Sequence, residues 1–269
     1  MDDHSGAIEA VIHMGAISAT TETDVDMIIE HNFQFSCRLW DWCAAHNVPF
    51  IYASSAATYG DGAQGFNDSQ DAKALAQLRP LNPYGWSKHL FDRWVLQAVA
   101  SGAPQPPFWA GYKFFNVYGP NEYHKGGQKS VITSLYPLLR DGGAARLFKS
   151  ARADVADGAQ ARDFVWVGDC VSVMLDALKR QDTPGIYNIG CGQARTFNDL
   201  AHAVFKALNM TPRIEYIDMP EALKVHYQYY TQADLSGLRT SGYTAPMTTL
   251  EDGVVQYVQT YLAGSDPYV

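Results

Sequence analysis

Asn82-Pro83-Tyr84-Gly85-Trp86-Ser87-Lys88 is the stretch on which the reading of this chain turns. Proline has no N–H to leave unpaired, so Pro83 fits the first position of a helix with Asn82 as its N-cap. Tyr84 and Lys88 then lie on one helix face, four residues apart. A free phenol ionises near a pKa of about 10, too high for a base at neutral pH, and a nearby ammonium favours the phenolate. Upstream, Val48-Pro49-Phe50-Ile51-Tyr52-Ala53 reads as a buried strand that ends in Ser54-Ser55. The Ser55 hydroxyl falls at a carboxyl edge of the sheet, where open α/β sheets bind ligands. Serine, tyrosine and lysine together can move a proton on and off a substrate hydroxyl. Alone, Tyr-x-x-x-Lys equally describes a surface lysine beside a half-buried tyrosine.

Outward from that stretch, strands and helices alternate. Ile8–His13 reads as a strand, and Thr23 or Asp24 can cap a helix carrying Ile28, Phe35, Leu39 and Trp42. The helix from Tyr84 stops near Gly102, and Trp109–Val117 is a strand broken by Gly119-Pro120. Later elements are a helix near Ser130–Arg140, an exposed insertion at Arg152–Ala161, a strand at Phe164–Val167 and a helix capped by Asp169. Then come a strand at Gly185–Ile189, a capping box at Thr196-Phe197-Asn198-Asp199, a strand at Arg213–Ile217 and helix starts at Thr231–Asp234 and Thr248–Glu251. The alternation predicts an α/β fold, a doubly wound parallel sheet with a smaller α/β domain. The expected bounds are 1–119 plus 163–190 for a cofactor-binding domain, and 120–162 plus 191–269 for a substrate-binding one. Residues 230–241 are a candidate to return to the first.

Composition narrows the class. The 269 residues are 47% hydrophobic with a formal net charge of −8. That balance argues against partners such as nucleic acid or an anionic membrane. Four cysteines lack metal or disulfide-scaffold spacing, which fits a reduced, cytoplasmic protein. No apolar stretch is long enough for a membrane span, and Met1-Asp2-Asp3-His4 shows no signal-peptide pattern. His13 and His124 invite a metal, but no ligand spacing supports one.

Three motifs occur in order: Ala53-Ser54-Ser55-Ala56-Ala57-Thr58-Tyr59-Gly60, the Asn82–Lys88 stretch, and Phe115-Asn116-Val117-Tyr118-Gly119-Pro120. This set resembles the extended short-chain dehydrogenase/reductases, in particular the nucleotide-sugar epimerases and dehydratases. Pro120-Asn121-Glu122-Tyr123-His124-Lys125-Gly126, Leu147-Phe148-Lys149-Ser150, Arg162-Asp163-Phe164-Val165, Tyr187-Asn188-Ile189-Gly190 and Tyr227–Leu235 narrow the resemblance to ADP-glycero-manno-heptose 6-epimerases. The resemblance runs over nearly the whole chain from residue 8. It implies an isomerase with NADP as cofactor, inverting C6 of an ADP-linked heptose for lipopolysaccharide core synthesis, and a homo-oligomer. Tyr84 and Lys125 would be the two acid/bases. Ser55 would hold the reacting oxygen, and Lys88 the cofactor ribose while lowering the Tyr84 pKa. Met14, Gly15, Ala16, Ser18, Asn32, Val117 and Lys125 would also face the cofactor. Asn116, Phe148, Lys149, Ser150, Arg162 and Tyr227 would face the substrate beside Ser55.

Several of these residues have plainer readings. Lys125 reads equally as a solvated loop lysine, Asn116 as a turn residue and Tyr227 as a packed ring. Arg162 pairs either with a diphosphate or with Asp163 or Asp169. The chain also departs from the family at His31-Asn32, Gly127, Ser134 and Lys149-Ser150. Its largest departure is the lack of the glycine-rich turn that holds a dinucleotide pyrophosphate in a Rossmann sheet. Against the family, the first two βα units would be absent, so the expected fold is an N-terminally truncated Rossmann sheet. The 269 residues alone are then expected to bind NADP weakly and not to turn over. The alternatives are another sugar-nucleotide epimerase or 4,6-dehydratase, or a non-catalytic remnant.

Overall fold

A computed structural model describes residues 6–224, 227–264 and 268; the start read above, Met1–His4, lies outside them. In chain order the elements are β1 (Val11–His13), α1 (Val25–Ile28), a π-helical segment at Ile29–Gln34, α2 (Phe35–His46), β2 (Phe50–Ser55), a 3₁₀ turn at Ala56–Tyr59, α3 (Ala72–Gln77) and α4 (Pro83–Ala100). Next come β3 (Trp109–Phe114), β4 (Asn116–Tyr118), a 3₁₀ segment at Tyr123–Gln128, α5 (Val131–Arg140), β5 (Ala145–Phe148), β6 (Ala161–Trp166), α6 (Val167–Arg180) and β7 (Gly185–Ile189). The chain continues through β8 (Ala194–Thr196), α7 (Phe197–Ala207), β9 (Ile214–Ile217), α8 (Glu221–Lys224), α9 (Ser236–Thr240) and α10 (Leu250–Gln256).

The chain divides into two compact units. The first holds the residues up to Phe114, Ser172–Ile189 and Asp234–Thr244; the second holds Phe115–Val171, Gly190–Ala233 and the residues from Ala245 onward. In the first unit, four parallel strands lie in the order β1-β2-β3-β7. β2 and β3 are apolar almost throughout, as strands covered on both faces must be. Trp40, Phe50, Tyr52, Phe91, Val95, Trp109 and Ile186 form the core between that sheet and the helices. Asn82 caps α4 by accepting from the Gly85 N–H at 2.8 Å, with Pro83 at the helix start. A Cβ on Gly85 would stand 2.8 Å from the Ala57 carbonyl oxygen, so its lack of one lets α4 pack directly on the 3₁₀ turn after Ser55.

The second unit is built on two smaller sheets. β6 pairs parallel with β4 and antiparallel with β8, while β5 pairs with β9. Ile132, Leu135 and Leu139 recur at helical spacing on α5 and pack with Leu147, Trp166, Val204, Phe205, Val254 and Tyr257. Thr196 and Asp199 form the expected capping box at the start of α7.

The structure corrects several expectations. The strand foreseen at Trp109–Val117 divides at Phe115, its two parts entering different sheets. β6 pairs with β4 and β8, so residues 163–171 belong to the second unit, not the first, and the segment returning to the first is 234–244. Asp169 lies inside the first turn of α6 and caps nothing; its carboxylate accepts from the Thr248 N–H and hydroxyl, each at 2.8 Å. Thr231 starts no helix; its hydroxyl accepts from the Asp163 N–H at 3.1 Å, and α9 begins at Ser236.

Candidate active site

In the first unit the sheet register and the N-terminal turn of α4 bring three of the expected residues together. Ser55 is the last residue of β2, extended at φ −153°, and its Oγ accepts from the Ala57 N–H at 3.1 Å. That hydroxyl also favours the ionised form of the half-buried Tyr84 phenol. One turn further along α4, Lys88 is only 3% exposed. Burial draws its pKa down to about 8, against the opposing pull of the Asp92 carboxylate. His13, at the end of β1, accompanies it: burial, with the Lys88 charge second, lowers its pKa to about 4. Its Nε2 lies 2.9 Å from the Ser36 hydroxyl.

One expectation fails here. Lys88 was to lower the Tyr84 pKa, but the phenol is held above its ordinary value. Burial is the main cause and the Asp92 charge adds to it, while the Ser55 hydroxyl works the other way. Removing water from a phenolate costs more than the neighbouring hydroxyl returns.

The loop after β1 carries Met14, Gly15, Ala16 and Ser18, with Met14, Gly15 and Ser18 exposed. Asn32 is buried beneath it. Its Oδ1 accepts from the Ile17 N–H at 2.8 Å, and its Nδ2 donates to the Ile17 carbonyl and to Ser87 Oγ at 2.9 and 3.0 Å. Both amide donors are thus engaged within the protein, and the side chain fastens the loop to α4 beside Lys88.

The second unit carries the remaining expected residues. Arg162, 7% exposed on β6, lays its guanidinium over the rings of Tyr227 and Phe197, at 5.0 and 5.8 Å from the centroids. Burial lowers its pKa, with Tyr227 opposing. Neither acid foreseen as its partner is one: Asp163 accepts from the N–H groups of Cys191, Gly192 and Ala233, and Asp169 from Thr248. Phe148 ends β5. Lys149 pairs with Asp218 at 3.0 Å in an exposed bridge, and the Ser150 N–H donates to Asp157 at 2.7 Å. Asn116 is exposed and Val117 half-buried on β4. Lys125 is exposed in the 3₁₀ segment, with its N–H bonded to the Glu122 carbonyl at 3.1 Å.

The comparisons with known proteins bear on this geometry. Residues 2–190 match the model of the family described as the NAD dependent epimerase/dehydratase family. An ADP-L-glycero-D-manno-heptose-6-epimerase of Nitratidesulfovibrio vulgaris (strain DP4) is 49% identical over 97% of this chain and 79% of its own length. The enzyme of that name from Fusobacterium nucleatum is 47% identical over 99% of this chain and 81% of its own. The chain belongs to the NAD dependent epimerase/dehydratase family, among its ADP-L-glycero-D-manno-heptose-6-epimerases. The crystal structure of the Helicobacter pylori ADP-L-glycero-D-manno-heptose-6-epimerase agrees in fold, with a TM-score of 0.78 at 26% identity, over 96% of this chain and 74% of that one.

Membership of an NAD-dependent family makes the donor set around Lys88 a test of fit. A buried ammonium, a phenol and a serine hydroxyl, close to the carboxyl ends of parallel strands, suit the vicinal hydroxyls of a nicotinamide ribose. A Cβ on Gly15 would meet nothing, so the loop leaves room for a ligand to approach its backbone. These residues fit the ribose end of a dinucleotide. Among the described residues no group of acids, histidines and cysteines is arranged to hold a metal ion, and no helix is long and apolar enough to cross a membrane.

Two buried groups in the neighbourhood escaped the sequence reading. Asp92 stands four residues after Lys88 on α4, and Lys113 is the penultimate residue of β3, joined to it by a 2.6 Å ion pair. Both had a signal: a charged residue within an apolar element.

Proposed function

We propose that the chain interconverts C6 epimers of an ADP-linked glycero-manno-heptose by transient oxidation and reduction, with NADP as the dinucleotide, in the supply of lipopolysaccharide core sugar. The observation that carries this reading is the buried Lys88 one helical turn after Tyr84, with Ser55 at the end of β2, in a chain 49% identical to a heptose epimerase. When bound, the oxidised dinucleotide supplies the hydride acceptor and a positive ring.

Ser55 orients the reacting oxygen by a hydrogen bond, and Tyr84 takes the hydroxyl proton as the carbon is oxidised to a ketone. Lys88 holds the ribose hydroxyls and sets a positive charge near the forming phenolate. The raised Tyr84 pKa means that the resting residue is a phenol; it must ionise before it can take the substrate's proton, and that proton is the one it returns to the ketone oxygen. Inversion also needs an acid/base for the other face of the sugar, the role assigned to Lys125. Arg162, packed on Tyr227 and Phe197, is a fixed planar donor suited to a diphosphate. Asn116, Phe148, Lys149 and Ser150 complete the proposed substrate contacts.

The test is proton NMR of an ADP-heptose incubated with NADP and the protein, with and without the two βα units that the family resemblance places ahead of residue 8. Tyr84→Phe should lower turnover by about 10²- to 10⁴-fold with the melting temperature unchanged. Undiminished turnover in Tyr84→Phe would sink the assignment. Conversion of a UDP-hexose and not of the ADP-heptose would replace the substrate.

A further inference from the structure

Behind the Ser55–Tyr84 pair lies a closed polar cluster that the mechanism does not use. Lys113 donates to Asp92 Oδ2 at 2.6 Å and to Thr58 Oγ1 at 2.7 Å. Ser54 Oγ donates to the same Asp92 oxygen at 2.7 Å, and Tyr52 OH to Asp92 Oδ1 at 3.1 Å. Thr58 Oγ1 in turn donates to the Ser55 carbonyl at 2.8 Å. All five side chains belong to residues no more than 2% exposed. Gly111 belongs to the same arrangement: a Cβ there would stand 2.3 Å from the Tyr52 hydroxyl, so its absence lets Tyr52 reach Asp92.

The topology gives the cluster its position. β2 supplies Tyr52 and Ser54, the 3₁₀ turn Thr58, β3 Lys113 and α4 Asp92. Ser54 and Lys113 are register partners across the sheet. These are the elements that hold Ser55 against Tyr84. Asp92 also follows Tyr84 by two helical turns and Lys88 by one, on their face of α4.

We propose that the buried Asp92–Lys113 pair is a positioning and charge-balancing element of the proton-transfer site, with Lys113 cancelling a carboxylate that would otherwise oppose ionisation of Tyr84. The proposal rests on Tyr84 as the acid/base. Lys113 touches no reacting atom; it acts through Asp92, Thr58 and Ser55. Asp92 is present to sustain the Lys88 charge, and without Lys113 its full negative charge would fall on Tyr84. The other titratable groups facing this region are His13 from β1, Tyr52 from β2, Tyr59 from the 3₁₀ turn, and Lys88 and His89 from α4, with Arg79 and Arg93 beside His89. Both ring nitrogens of His89 are buried without a hydrogen-bond partner among the described residues, and its pKa is lowered to about 4, mainly by burial. At neutral pH it therefore adds no charge of its own.

Two measurements test this on the whole chain: the ionisation of Tyr84, from ultraviolet difference titration against Tyr84→Phe, and the pH dependence of turnover. Lys113→Met should move both midpoints upward by about one pH unit or more. Lys113→Arg should leave them in place. Lys113→Met combined with Asp92→Asn should return them most of the way. A purely structural lysine would instead lower turnover at every pH without moving either midpoint, with the double variant no better than the single, and that result overturns the proposal. Should Lys113→Met fail to fold, Asp92→Asn alone must move the Tyr84 ionisation downward, and an unmoved ionisation is equally fatal. If Tyr84→Phe retains turnover, the functional reading falls, yet the ultraviolet titration still decides the role of Lys113.

Discussion

Asp92 in the first unit and Asp163 and Glu122 in the second are buried carboxylates satisfied in opposite ways. In the first, Asp92 is matched by an ammonium, Lys113, and by the hydroxyls of Ser54 and Tyr52. In the second, Asp163 is held by three backbone N–H groups. Glu122 is held there by the Ser130 N–H and the hydroxyls of Ser130, Thr133 and Tyr257. Neutral donors satisfy the oxygens but do not cancel the charge. Asp163 registers this: burial raises its pKa to about 6, though all three N–H groups work against the rise. The neutral cages tie loops together, Asp163 joining β6 to the segments at 191–192 and 231–233, and Glu122 anchoring the start of the segment that carries Lys125. The matched pair stands instead beside groups whose chemistry depends on charge.

The comparison would break most visibly at Lys113. Removing one member of a buried ion pair leaves an uncompensated charge, at a cost of about 3–5 kcal/mol. Lys113→Met should therefore lower stability in urea by that order, and Lys113→Met with Asp92→Asn by clearly less. Equal losses in the two variants would mean that Lys113 contributes packing and not charge.

Asp163 should show a smaller effect with a distinct pH signature. An unfolded aspartate protonates near pH 4, roughly, and the folded one near 6. Folding thus favours the protonated form. The contribution of Asp163 to stability is full below about pH 4, declines as the pH rises to about 6 and is level above that. Asp163→Asn should abolish this decline. It should also cost about 1–3 kcal/mol at acid pH, because an amide N–H₂ would face one or two of the three backbone donors. Urea midpoints across that pH range check both statements, and a wild-type stability that rises between pH 4 and 6 while the variant's stays level would refute the first.

What the sequence disclosed, and what it hid, follows from the range of each signal. The Asn82–Pro83 start of α4 and the Thr196–Asp199 capping box were legible because donor and acceptor lie within three residues. The Ser55–Tyr84 site was legible because a strand end and a helix start carry their own marks. The run Trp109–Val117 gave no hint of its division at Phe115, since both parts are strands and only tertiary pairing separates them. Asp169 and Thr231 resemble helix caps in sequence, yet each bonds a partner far along the chain, Thr248 and Asp163. The direction of the Tyr84 pKa was missed because spacing reveals Lys88 but not the depth of burial. Asp92 and Lys113 were readable only as oddities, their pairing requiring the register that sets Lys113 beside Ser54.

Lys125 gives the smallest stability effect and the sharpest contrast with Lys113. Both are lysines near proposed chemistry, but Lys113 is 1% exposed and pinned by two short hydrogen bonds, whereas Lys125 lies on an exposed 3₁₀ segment. Gly126, at φ 53° and ψ −121°, interrupts the helical path just after it, so the backbone there is shaped by glycine and by the Glu122 anchor. A substituted side chain on such a surface changes stability by no more than about 0.5 kcal/mol. Lys125→Ala should therefore unfold with the wild-type urea midpoint. If Lys125 is the second acid/base, the same variant should lose turnover by about 10²-fold or more. Lys125→Arg, charged but with too high a pKa to give up its proton, should restore binding more than rate. A variant that loses stability together with turnover would show that this lysine, like Lys113, also supports the fold, and the contrast between the two would collapse.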